Sequence, residues 1–138
     1  MTTFLDSSAL FAAMNDAEPH HAWSVAQIAA RRADGPIVIT DIVYCELAAG
    51  MPTKGETDTA VAEWALERIT GDDVALFRAG QAYSEYKDKK RQADQKPKTN
   101  VLPDFLIGAV AEVEGYPLIT TNQKDFIKYF PALSVIHP

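Results

Sequence analysis

The sequence predicts an α/β domain whose mostly parallel central sheet is flanked by helices. Three observations carry this. Short apolar segments, Thr2 to Leu5, Pro36 to Ile39 and Pro117 to Thr120, alternate with longer stretches of helical character. Pro36-Ile37-Val38-Ile39 is apolar throughout instead of alternating, the pattern of a strand covered on both faces. The chain of 138 residues has no internal repeat, low-complexity segment or interdomain linker. It is therefore expected to form one domain over residues 1–138, burying roughly two thirds of its unfolded surface.

The first strand, Thr2 to Leu5, stops at Asp6, and Ser7 or Ser8 can cap a helix through Ala9 to Met14. Pro19 breaks the chain before a second helix from about His20 to Arg32, and Asp34-Gly35-Pro36 is a turn signal. After the second strand, Thr40 takes a cap position, and a helix from Asp41 to Ala49 is closed by Gly50. Met51 to Gly55 is expected to be a loop, followed by a helix from about Thr57 to Arg68 and a turn at Gly71-Asp72-Asp73. Val74-Ala75-Leu76 is too short to assign. A long helix is expected from Arg78 to about Asp94, then a polar loop from Gln95 to Val101. Pro103 suits the first turn of the next helix, where its missing N–H has no partner to lose. This helix, ended by Gly115, is apolar on nearly every face and is expected in the interior. A strand at Pro117 to Thr120, a short helix or turn at Thr121 to Phe126 and a last strand at Leu133 to Ile136 complete the chain.

Composition narrows the function classes. A net charge of −6 and a pI near 4.9 oppose a general nucleic-acid-binding surface, whose affinity comes from Lys and Arg on phosphates. They do not oppose a nucleic-acid enzyme, because a metal supplies positive charge locally. No apolar run approaches the ~20 residues of a membrane span. The N-terminus lacks a basic region followed by an apolar one, so a cytoplasmic protein is expected. Cys45, the one cysteine, allows neither an internal disulfide nor a cysteine-based zinc site, and within its helix it reads as a packing residue.

Ligands in parallel sheets gather outside the carboxyl ends of the strands, and that rule turns scattered acids into a site. Asp6 directly follows the first strand; Asn122 and Asp125 follow the strand ending at Thr120. Glu46 lies in the helix after the second strand, beside the apolar stripe of Ile42, Val43, Ala49 and Gly50, where a lone carboxylate is costly unless paired, protonated or metal-bound. Asp104 starts the interior helix on the stripe shared with Ile107, Gly108 and Ala111, whose small residues leave room for a pocket. Each acid also has a plain reading: Asp6 and Asp104 as helix caps, Glu46 reaching solvent, Asp125 solvated. Together they would repel one another on one edge, and a divalent cation resolves that repulsion. Oxygen ligands without Cys or converging His point to Mg²⁺ or Mn²⁺. Such a site suits phosphodiester hydrolysis by an activated water.

The sequence resembles the PIN-domain ribonucleases, and within them the VapC-type toxins of toxin–antitoxin pairs. The resemblance rests on Phe4-Leu5-Asp6-Ser7-Ser8-Ala9-Leu10, on Thr40 with Tyr44-Cys45-Glu46-Leu47, and on Leu102-Pro103-Asp104-Phe105-Leu106-Ile107-Gly108-Ala109. It extends through Leu118-Ile119-Thr120-Thr121-Asn122 to Asp125-Phe126 and Tyr129-Phe130-Pro131. It implies a PIN-like three-layer sandwich and a Mg²⁺-dependent endoribonuclease, held inactive by a cognate antitoxin and usually a homodimer. By motif position Asp6, Glu46 and Asp104 fall on the metal-binding acids, and Thr120 or Thr121 on a hydroxyl beside the site, with Ser7, Thr121 and Asn122 in support. The family's fourth acid often follows the Thr-containing strand end. Asn122 stands there instead, and Asp125 is the candidate to replace it among the catalytic acids.

Residues Lys87 to Lys98 hold six of the thirteen basic side chains. They form either a solvated face, a docking surface for an acidic antitoxin segment, or an RNA-backbone track of Lys87, Lys90, Arg91, Lys96 and Lys98, with Tyr83 and Tyr86 as candidate base-stacking rings. Two rival functions stay open. A phosphotransfer or haloacid-type phosphohydrolase also places an aspartate after the first strand, although Ser8 stands where its second acid belongs. A non-catalytic interaction module with a decayed site is the other, suggested by Asn122.

Overall fold

The computed structural model describes residues Met1 to Pro138. Its sheet is built from β1 (Thr3–Leu5), β2 (Ile37–Ile39), β3 (Leu66–Arg68), β4 (Leu118–Ile119) and β5 (Val135–Ile136) in the order β3-β2-β1-β4-β5, with every pairing parallel. In the centre Phe4 faces Val38 on one side and Leu118 on the other. The connections carry seven helices: α1 (Ser7–Met14), α2 (His21–Arg32), α3 (Asp41–Ala49), α4 (Lys54–Glu63), α5 (Asp73–Gln92), α6 (Leu102–Glu114) and α7 (Lys124–Tyr129).

The chain steps outward from β1 through β2 to β3, then crosses back to β4 on the far side of β1. With right-handed crossovers, that reversal puts the connections before β3 and those after it on opposite faces. Burial agrees. Strands β1, β2 and β4 are buried along their whole length, whereas β3 and β5 at the edges are partly exposed. The architecture is the expected three-layer α/β sandwich, all-parallel rather than mostly so. No helix is long and apolar enough to cross a membrane.

Several boundaries differ from the sequence expectation, each for a local reason. Asp6 itself caps α1, its Oδ1 accepting the Ser7 N–H at 2.9 Å, in place of Ser7 or Ser8. Thr53 caps α4 by accepting the Glu56 N–H at 3.1 Å, so the helix begins inside the expected loop. It also ends early. Ala65 turns the chain at a φ of 48°, Arg32 donates to the carbonyls of Trp64 and Ala65, and Leu66-Glu67-Arg68 leaves as strand β3. Asp72 accepts the Ala75 N–H at 3.0 Å, so the apparent turn is the cap of α5, which takes in Val74 to Leu76. Cys45 lies on the exposed side of α3 rather than in the packing.

Helices α5, α6 and α7 close over one face through aromatic rings. Phe105 lies 5.5 Å from both Tyr86 and Tyr129 and 5.8 Å from Phe130, centroid to centroid. Arg78 of α5 locks the three helices, donating to Glu112 of α6 at 2.6 Å and to the Tyr129 carbonyl of α7 at 2.9 Å. The space left by Gly108 is filled by this packing and does not open a pocket: a Cβ there would stand 2.8 Å from Phe130 and 3.0 Å from Phe126. Gly80, inside α5, has nothing within 4 Å of the same position.

Two glycine-to-alanine changes should therefore have opposite signs. Gly108→Ala is expected to destabilise by about 1–3 kcal/mol through overpacking, and Gly80→Ala to stabilise by about 0.5–1 kcal/mol through helix entropy. Urea unfolding of both variants measures this; a stabilised Gly108→Ala would contradict the packing described.

Candidate metal centre

The ends of β1 and β4 lie side by side where the chain reverses direction, the topological switch point of the sheet. Asp6 leaves the end of β1 and Thr120 the end of β4, and Asp6 N donates to the Ile119 carbonyl at 2.9 Å. The Asp6 carboxylate is 2 % exposed, and its partners account for that burial. Oδ1 accepts from Ser7 N, while Oδ2 accepts from the hydroxyls of Thr120 at 2.7 Å and Ser8 at 2.8 Å. Each hydroxyl in turn accepts a backbone N–H: Thr121 N donates to Ser8 Oγ at 3.1 Å and Asn122 N to Thr120 Oγ1 at 3.0 Å. The two hydroxyl oxygens lie 3.1 Å apart, so each has Asp6 Oδ2 or the other hydroxyl as acceptor for its single proton.

Burial pushes the Asp6 carboxyl above the usual carboxylate range, with the hydrogen bonds from Thr120, Ser8 and Ser7 pulling it back. Glu46 comes from α3, oriented by the Thr40 cap, whose Oγ1 accepts Val43 N at 3.3 Å. It is half-buried, and its Oε1 is buried with no hydrogen-bond partner. Burial raises its pKa, Ser7 opposes the rise, and the charge of Asp6 adds to it. Asp104 sits in the first turn of α6, behind Pro103. Its carboxyl is pushed from 3.8 up to about 7, by burial first and then by the charges of Asp6, Glu46 and Asp125. Four acids from four elements thus share one electrostatic neighbourhood.

Beside them a polar cleft of about 260 Å³ is lined by Asp104, Asp125, Asn122, Asn100, Lys90, Lys98 and Lys124, with Tyr86 and Val101 behind. Asp125, in the first turn of α7, faces this cleft rather than the buried Asp6 end.

The donor set suits a hard divalent cation: carboxylate oxygens only, one of them buried and unsatisfied, beside an Asp104 whose pKa is raised by burial first and by neighbouring charges second. No three acidic, His or Cys side chains close around a single point. An ion would take one or two carboxylates directly and keep water for the rest, which is the habit of Mg²⁺.

The structure sorts the remaining candidates. Ser7 and Thr121 contribute backbone N–H groups to the network, whereas the hydroxyls on Asp6 belong to Ser8 and Thr120. Asn122 lines the cleft and braces Thr120. Of the five expected basic residues, Lys90 and Lys98 line the cleft. Lys87 lies over the Tyr83 ring, Arg91 pairs with Asp88 at 3.5 Å, and Lys96 is exposed outside the cleft. Tyr86 is buried in the aromatic cluster and Tyr83 packs on it at 6.1 Å, which leaves no ring platform for bases. Sequence reasoning missed Ser8 and Lys124. The Ser8 hydroxyl could be found only by knowing which side of the turn faces β4, and Lys124 carried no signal beyond its place next to Asp125.

The PIN domain family model matches residues 3–130 of the chain. No curated protein matches. Solved structures of the same fold include DNA-bound VapBC from Salmonella typhimurium, 20% identical over 99% of this chain and 98% of that one, with a TM-score of 0.69. VapBC2 from Rickettsia felis, bound to a DNA fragment from its promoter, is 22% identical over 100% and 99% of the two chains, with a TM-score of 0.65. A toxin-antitoxin complex from Klebsiella pneumoniae is 22% identical over 97% and 95%, with a TM-score of 0.64.

The raised Asp104 pKa has a consequence for metal-free protein. The folded state holds this proton more tightly than the unfolded state, so stability falls as pH rises between 3.8 and about 7, and levels off above. Thermal unfolding in EDTA should give a lower Tm at pH 8 than at pH 6, and Asp104→Asn should shrink that difference. An unchanged pH dependence in the variant would show that other groups carry it.

Proposed function

The chain belongs to the PIN-domain family, and on that premise we propose that it is a Mg²⁺-dependent endoribonuclease, the toxin of a toxin–antitoxin pair. The observation that carries this reading is the placing of Asp6, Glu46, Asp104 and Asp125, from four elements, around the switch point and its cleft, where burial first and then the other three charges raise the Asp104 pKa. A divalent ion, Mg²⁺ or alternatively Mn²⁺, would lower the pKa of a water there and neutralise charge developing on the leaving oxygen.

Asp6, Asp104 and Glu46 are the residues that would hold it. Asp6 is fixed in direction by three hydrogen bonds and keeps a lone pair free on Oδ1. Glu46 brings an oxygen that no protein group satisfies. Asp104 spans the two halves of the site, sensing Asp6 on one side and lining the cleft on the other. Asp125 stands on the cleft side, where it can take the proton of an attacking water. Thr120 and Ser8 hold Asp6 in place without touching the substrate.

The phosphotransfer rival lacks its second acid: Ser8 stands in that place, and its hydroxyl lies 2.8 Å from Asp6 Oδ2. The cognate antitoxin and a homodimer belong to the same reading. The first is supported by the toxin-antitoxin complex among the similar folds, and both follow from the family resemblance.

Purified chain free of antitoxin should cleave single-stranded RNA in Mg²⁺ or Mn²⁺ and lose that activity in EDTA. Asp6→Asn and Asp104→Asn should each lower cleavage on the order of 100-fold or more, the scale of losing one group that stabilises developing charge. Thr120→Val should lower it about 10–100-fold, as a residue that orients a ligand. Gel assays with labelled RNA decide this; no cleavage by the unmodified chain in either metal sinks the nuclease reading. Co-expression with the product of the neighbouring upstream gene tests the partner, with rescued growth as the expected result.

A further inference from the structure

The four carboxylates solve one problem for an RNA strand and create another. One phosphate can meet the cation, but its neighbours along the strand meet Asp104 and Asp125 across an open cleft. Three lysines line that cleft, each delivered by a different element: Lys90 from the last turn of α5, Lys98 from the segment leading to α6, and Lys124 from the start of α7. None of them takes part in the chain's five ion pairs, although acidic side chains outnumber basic ones by nineteen to thirteen. Lys90 has only neutral partners, donating to Gln95 Oε1 at 3.3 Å and lying over the Tyr86 ring, whereas its neighbours along α5 pair with acids, Lys89 with Glu85 at 3.0 Å and Arg91 with Asp88 at 3.5 Å. Lys98 is also held in place. Its backbone N–H donates to the hydroxyl of buried Tyr86 at 3.1 Å, which ties the loop to α5.

We propose that Lys90, Lys98 and Lys124 form a phosphate subsite that binds the RNA backbone beside the scissile phosphate, which makes this end of the acid site the substrate track. The inference rests on the nuclease reading and narrows the expected basic track. It removes Lys87, Arg91 and Lys96 and adds Lys124, because the cleft, rather than the charge run along the sequence, selects the residues. Asn100 and Asn122 line the same space as neutral donors and acceptors, so the track carries no carboxylate beyond Asp104 and Asp125.

Fluorescence anisotropy tests it, with the full chain titrated into a short labelled single-stranded RNA in Ca²⁺ over a range of KCl, and RNA integrity checked on gels. A backbone contact to single-stranded nucleic acid contributes about 0.7 to the slope of log affinity against log salt. The combined Lys90→Gln, Lys98→Gln, Lys124→Gln variant should flatten that slope by about 2 and weaken binding at least several-fold at low salt. Each single variant should flatten it by about 0.7, which keeps the test alive if the combined variant does not fold. Lys87→Gln with Lys96→Gln should leave the slope unchanged.

An equal loss in both sets would make the effect one of general charge and overturn the subsite. Unchanged RNA affinity in the cleft variants, with antitoxin binding lost instead, would make the cleft a protein surface and also overturn it. Cleavage failing while the cleft variants still lose RNA as described would count against the nuclease reading alone.

Discussion

The hydrogen bond from Thr120 to Asp6, 2.7 Å long across the seam between β1 and β4, is the contact on which the candidate site depends. It joins residues 114 apart in sequence at the point where two parallel strands release their chains toward opposite faces. A buried carboxylate is expensive unless its lone pairs are taken, and here the Ser7 amide and two hydroxyls take three of them. Ser8 and Thr120 each accept an amide proton, and their oxygens lie 3.1 Å apart, so the two hydroxyls and Asp6 Oδ2 form one closed cluster whose amide contacts fix where its oxygens sit. The seam is a rigid element built before any ion arrives.

Next to this satisfied carboxylate the protein tolerates unsatisfied ones. Glu46 keeps a buried oxygen without a partner, and Asp104 is crowded by three charges. Local cost of this kind marks a functional site more often than a packing error. The rest of the structure supplies compensation. The aromatic cluster around Phe105 anchors the helix that carries Asp104, and Arg78 ties that helix to its two neighbours. The two ends of the site differ in sign. The Asp6 end is buried and acidic, while the cleft beside it is lined by three lysines that form no ion pair.

What could be read in the sequence followed from signals that are local. Thr40 and Gly50 bracket α3 correctly because cap chemistry acts over three or four residues, and the buried central strands announce themselves as apolar runs. Asp6, Glu46 and Asp104 could be gathered because strand ends in a parallel sheet share an edge. What escaped was set by distant contacts. Leu66-Glu67-Arg68 has no apolar run, and it is a strand because Ala65 adopts a left-handed turn and Arg32, more than thirty residues earlier, holds the carbonyls there. The Gly71-Asp72-Asp73 stretch looked like a turn because a helix cap uses the same residue types. Whether Thr120 or Thr121 met Asp6 depended on the phase of the chain as it left β4, which composition does not encode. The tight seat of Gly108 against Phe126 and Phe130 likewise belongs to tertiary packing.

The edges of the sheet set a limit on how this protein meets others. Strand β3 is three residues long and turns Glu67 and Arg68 outward, and β5 is only two residues long. An incoming strand would find few backbone groups in line and two charges in the way, the arrangement by which short edge strands resist edge-to-edge association. Growth of the sheet into a second molecule is thereby discouraged at both ends. Association with another chain falls to the helical layers, where Val74, Leu76 and Phe77 already stand exposed at the start of α5.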